Sequence, residues 1–156
     1  MFKMKQLQNL LDQIESHIPN HEKVNPSVSE SCIGWQLDHS LLVINGVVAQ
    51  MKSSNPENYK WKFKWIRTYI QITNKIPRGK VRVPKSVKPI DIATVEELKT
   101  KLDQARKGIT ELEKLHKNNY FTHPFFGDLN LKPTIWFLKL HTNHHLKIIN
   151  DIITKG

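Results

Sequence analysis

Apolar residues recur at three- and four-residue steps through most of this chain, and that period, with almost no two-residue alternation beside it, restricts the fold to packed helices. Leu7, Leu10, Leu11, Ile14 and Ile18 form one such stripe between Met4 and Ile18, which Pro19 ends. A second runs from Ser31 to Lys52 through Trp35, Leu42, Gly46 and Ala49, preceded by Ser27-Val-Ser-Glu30 at capping-box spacing. Thr94-Val-Glu-Glu97 is another capping box, and Val95, Leu98, Leu102, Ala105, Ile109, Leu112 and Leu115 follow it. Asn130 can cap a last helix whose face holds Leu131, Ile135, Leu138, His145, Ile149 and Ile152. Asn55-Pro56-Glu57 opens a shorter third helix running to about Thr73. Alternation is confined to Lys80-Val-Arg-Val83. The pattern predicts an all-α helix bundle of four long helices and one shorter one. A length of 156 residues suits a single domain over residues 1–156.

Two stretches interrupt the helices. Asn74 to Ala93 carries Pro77, Gly79, Pro84 and Pro89, which predicts a long loop. His123-Pro-Phe-Phe-Gly127 reads as an aromatic turn that caps the bundle end. The charge is also local. Lys60 to Ile90 contains 10 Lys and Arg and no acid, so this segment carries the whole net charge of +10. Within it, Lys60-Trp-Lys-Phe-Lys-Trp-Ile-Arg67 interleaves cations with aromatics, as a surface that pairs phosphates and stacks bases would. On a helix, however, Lys60, Lys64 and Arg67 share one face and Trp61, Trp65, Tyr69 and Ile72 another, so the expectation is a packed helix with its aromatics inward. A non-enzymatic protein that binds nucleic acid or another ligand through residues 60–88 is the rival function. The loop from Lys75 to Lys85 is expected to border the site and attract an anionic small molecule.

The single cysteine, Cys32, excludes an internal disulfide and a Cys-rich zinc module, and fits a reducing compartment, the cytoplasm by default. The first residues turn polar before an apolar leader can develop, and Leu41 to Ala49 is broken by Asn45 and Gly46. Neither a signal peptide nor a membrane partner is expected.

Of 8 histidines, three stand where chemistry can use them. His141 and His145 are four apart, so their imidazoles share one helix face, and Phe137, Leu138, Ile148 and Ile149 turn that face inward. His39 lies in the stripe Trp35, His39, Leu42, Gly46. Three inward imidazoles on two helices match the open pattern of three protein ligands with a position left for water. The plainer reading is a set of core histidines bonded to carbonyls, or a partly exposed helix face. Thr142 follows His141, so the zincin motif with its adjacent Glu is absent. His144 points about 100° away from His145 and reads as an exposed or supporting residue. Asp38 is rotated away from His39, Cys32 precedes the helix, and no inward carboxylate offers itself as a base.

Trp35-Gln-Leu-Asp-His39, Lys75-Ile-Pro-Arg-Gly79, His123-Pro-Phe-Phe-Gly127 and His141-Thr-Asn-His-His145, in this order, resemble the DinB/YfiT-like metalloenzyme superfamily, and most closely a bacterial branch of unknown function. The likeness spans about Trp35 to Ile152. It implies a four-helix bundle and a divalent ion, usually nickel or zinc, held by His39, His141 and His145. It also implies a metal-dependent hydrolase or thiol (S-)transferase acting on a small molecule, with a low-molecular-weight thiol as co-substrate, and a homodimer. The relatives' last motif commonly continues His-His-Arg-Gly-Gln, whereas here Leu146-Lys147-Ile148 follows His145. That departure leaves the substrate open and removes no ligand.

Overall fold

A computed structural model describes residues 2–77, 88, 89 and 92–155. The alternating Lys80 to Val83 segment and most of the expected loop from Asn74 to Ala93 lie outside the described residues. Four long helices, α1 (Phe2–His17), α2 (Ile33–Ser53), α4 (Val95–Leu112) and α5 (Leu131–Thr154), surround one core, with a shorter α3 (Trp65–Thr73). Both α1 and α2 pack against α4 and α5. Leu7, Leu11, Ile14 and Ile18 of the first stripe are buried together with Met4, and Leu10 packs partly buried against them. Gly108 lets α4 approach α2, because a Cβ there would lie 3.0 Å from Val48 Cγ1.

The starts of these helices separate realised capping signals from unrealised ones. Thr94 forms a complete capping box, accepting from the Glu97 amide at 3.2 Å while the Glu97 carboxylate accepts from the Thr94 amide at 2.8 Å. Ser27 to Glu30 does not cap α2, which begins at Ile33. There the Ile33 and Gly34 amides donate to the carbonyls of Lys23 and His21, so backbone from the preceding turn closes the helix end. Asn130 is the N-cap residue of α5 without a side-chain cap bond.

Three expectations need correction. The fold is mostly helical but not all-α, because Tyr120–His123 (β1) pairs antiparallel with Gly127–Asn130 (β2). The aromatic turn is the connection of this hairpin. Gly127 supplies the positive φ of 71° that closes it, and the His123 Nδ1 accepts from the Phe125 and Phe126 amides, both at 3.1 Å. Four-residue strands give too short an alternation to rise above the helical background. Only Phe121 and Leu129, a cross-strand pair, turn inward.

Second, the helix expected from Asn55 to Thr73 is divided. Asn55 caps only a 3-10 turn, Pro56–Asn58, and α3 begins at Trp65. In between, Lys60, Lys62 and Lys64 alternate with Trp61 and Phe63; lysines 60 and 64, four apart on a helix, would repel.

Third, the aromatics expected inward face solvent, and of the three cations expected outward, Lys60 and Lys64 are exposed while Arg67 turns inward. Trp61, Trp65, Tyr69 and Ile72 are exposed, and Arg67 is only 5% exposed. The Arg67 guanidinium donates to the Lys62 carbonyl at 2.7 Å and the Phe126 carbonyl at 3.3 Å, tying the segment to the hairpin turn. Charge-assisted bonds to two carbonyls satisfy this buried cation. With Ile70 as the one buried apolar residue of α3, they determine which side faces the protein. At the far end Asn74 adopts a left-handed φ of 52° and its Oδ1 accepts from the Trp136 indole.

Arg67→Ala should therefore loosen residues 59–73 as a unit. Removing the donor leaves the Lys62 and Phe126 carbonyls without it, and we expect a loss of about 1–3 kcal/mol in urea unfolding. Unchanged stability would show that these two bonds do not hold the segment.

Candidate metal centre

The helical period brings the site together. Four residues apart on α5, His141 and His145 stack along one side, and α2 packs against α5 with His39 opposite them. The ring centroids lie 5.0 Å apart for His39 and His141, 4.7 Å for His39 and His145, and 4.6 Å for His141 and His145. One ring nitrogen from each comes within 4.8 Å of the other two. Nitrogens bound at about 2.1 Å to a tetrahedral ion stand roughly 3.4 Å apart, so the three rings would have to close in somewhat to share one ion. Trp35 stacks on His39 at 5.2 Å and Phe137 lies 5.6 Å from His141, which gives the cluster aromatic walls.

His145 is oriented by a residue that the histidine pattern did not select. Its Nδ1 lies 2.6 Å from Oε1 of buried Gln36. An amide oxygen only accepts, so the imidazole proton sits on Nδ1 and the Nε2 lone pair is left for an ion. Gln36 is itself held, its Nε2 donating to Ser29 Oγ at 3.3 Å. A sequence signal existed: Gln36 precedes His39 by three residues and so shares its helix face. What periodicity could not supply was the partner, because Gln36 and His145 are brought together only by the packing of α2 on α5.

His141 has a different environment. His141 as a whole is half-buried, but its Nδ1 is buried with no hydrogen-bond partner among the described residues, and neighbouring Thr142 Oγ1 is also buried without one. Burial holds both His141 and His145 well below the ordinary imidazole value; the surrounding histidines push in the same direction. Both rings are therefore uncharged at neutral pH and keep the lone pairs that ligation needs. Three clustered imidazoles, two of them neutral, of which one is pre-oriented and the other has an unpartnered buried nitrogen, fit a divalent ion.

The other candidates fall outside the cluster. Asp38 turns from it, as its position on the helix implied, and pairs with Lys101 at 2.5 Å. Cys32 stands at the start of α2, partly exposed. His144 meets the edge of His145, with ring centroids 5.2 Å apart, and no ligand atom of its own joins the group. His123 belongs to the hairpin turn, its ring 4.8 Å from that of Phe137, and no ligand atom of its own joins the group.

Comparison with known proteins gives no further identification: no protein-family model, curated protein or solved structure matches this chain. The case for the centre rests on its own geometry.

His123 allows a test of the electrostatics beside the centre. Burial lowers its pKa from 6.5 to about 4. The unfolded chain consequently binds the extra proton first, so this residue's contribution is complete above about pH 6.5 and is lost as the pH falls toward 4. The difference of roughly 2.5 units corresponds to about 3 kcal/mol. In His123→Asn, whose side-chain oxygen can still accept from the turn amides, stability should fall less steeply between pH 7 and 4 than in the wild type; parallel urea-midpoint curves would contradict this assignment.

Proposed function

We propose that the chain is a divalent-metal enzyme of the DinB/YfiT type, a hydrolase or thiol transferase that acts on an anionic small molecule in the cytoplasm. The observation that carries this reading is the convergence of His39, His141 and His145 from two packed helices. In sequence order, the first of the three comes from the second long helix and the other two from the last, and they are the same three residues that the resemblance implies.

Nickel or zinc held there would supply a Lewis acid with coordination positions open to a water or a thiolate. The chain's own residues bind and orient. His39, His141 and His145 provide the lone pairs, Gln36 fixes the donor nitrogen of His145, and Trp35 and Phe137 limit water around the rings. No carboxylate joins the cluster among the described residues. Cys32 precedes His39 by seven residues, roughly 10 Å along a helix axis, so a thiol reaction would draw its sulfur from a small-molecule thiol. The net charge of +10 favours an anionic substrate.

Elemental analysis of tag-free protein should find close to one divalent ion per chain. His39→Ala and His141→Ala should lose it, and Gln36→Leu should retain it with about 10- to 100-fold weaker affinity. Wild-type protein that stays empty after incubation with nickel and zinc salts would overturn the reading and make the three histidines core residues.

A further inference from the structure

Six large apolar side chains face solvent within twelve residues: Trp61, Phe63, Trp65, Ile66, Tyr69 and Ile72. The extremes are Trp65 at 75% and Ile72 at 79% exposure. On α3, Trp65, Ile66, Tyr69 and Ile72 occupy one arc of about 120°, while Ile70 and Arg67 occupy the side that faces the protein. This is an amphipathic helix with its apolar face outward. Isolated exposed hydrophobics need no explanation, but a contiguous patch of this kind marks an interaction surface.

Charge identifies what covers it. Lys60, Lys62, Lys64 and Lys75 are exposed around the patch, and the sequence from Lys60 to Ile90 has no acid. Two open clefts border the same segment rather than the histidines: Lys117 and Lys132 join Trp61 in one, and Lys75 joins Tyr69 in the other. A second copy of the chain would set these lysines against one another. Single-stranded nucleic acid would use the aromatic faces but would leave the aliphatic Ile66 and Ile72 without a role, because base recognition here proceeds by stacking. A bilayer surface uses all of them. Indole and phenol rings reside at the headgroup level, branched aliphatics reach the acyl boundary, and lysines pair with anionic headgroups.

We propose that residues 60–75 form a peripheral docking surface for anionic phospholipid bilayers, with Trp65, Ile66, Tyr69 and Ile72 entering the interface and Lys60, Lys62 and Lys64 contacting phosphates. No helix among the described residues is long and apolar enough to cross a membrane, so the association is one of contact and not of spanning. The proposal is independent of the metal centre, which lies on α2 and α5.

Flotation of the full chain with phosphatidylcholine vesicles, with and without phosphatidylglycerol, tests it. The wild type should bind only the vesicles containing phosphatidylglycerol, release as salt is raised, and show a blue shift of tryptophan emission on binding. Trp65→Ser combined with Ile72→Ser should weaken binding on the order of tenfold or more without shifting the thermal midpoint, since both side chains are exposed. Lys60→Glu combined with Lys62→Glu should weaken it similarly and reduce the salt dependence. Undiminished vesicle binding by the apolar double variant would overturn the proposal. So would preferential binding of oligo(dT) over these vesicles, or a dimer that this variant dissociates in a chain that ignores lipid.

Discussion

The contact between α2 and α5 must keep imidazoles uncharged, and much of the structure around it follows from that requirement. Protonated rings whose centroids are less than about 5 Å apart would repel strongly in an interior of low polarity. Burial removes the water that would stabilise a charge on His141 and His145, and each neighbouring ring penalises it further. What remains is a set of lone pairs in a packed interface. An unpartnered His141 Nδ1 is itself unfavourable, since a buried polar atom without a partner costs about 1–3 kcal/mol. A divalent ion would turn that liability into coordination, and its binding free energy would be folding free energy as well.

The neighbouring elements maintain this interface. Thr94 and Glu97 fix the start of α4, against which α2 packs, and Lys101 neutralises Asp38 on the side of α2 away from the histidines. Asn119 fastens the hairpin to the end of α2, its amide donating to the Met51 and Ser54 carbonyls at 3.0 and 3.1 Å. The hairpin in turn places Phe121 and Phe126 against Phe137, next to the site. Arg67 then attaches the basic aromatic segment to the hairpin turn, so the histidine cluster and the outward aromatic face are built on one frame while remaining chemically separate.

The long helices and the three histidines were legible because both depend on local spacing. A period of 3.6 residues puts His141 and His145 on one face whatever the rest of the chain does. The expected stripe Trp35, Leu42, Gly46 and Ala49 is the less buried side of α2, whose core face is Leu37, Leu41, Ile44 and Val48, yet His39 is buried all the same. Features set by contacts between distant segments were not legible. Gln36 meets His145 across 109 positions of sequence, and Arg67 meets Phe126 across 59. The inward turn of Arg67 is instructive. Amphipathic patterning assigns a cation to solvent and a tryptophan to the core, and here two carbonyls offered to the guanidinium reverse both assignments. The hairpin is hidden in the sequence for another reason: its strands are four residues long, and its main sequence marker, Gly127, also fits a plain turn.

The central claim is that His39, His141 and His145 form one coordination centre. Anomalous diffraction from crystals grown with nickel or zinc tests it directly. A single strong peak is expected between α2 and α5, about 2.0–2.1 Å from one nitrogen of each of the three rings. A map with no peak there, or with the ion on other histidines such as His17 or His116, would contradict it.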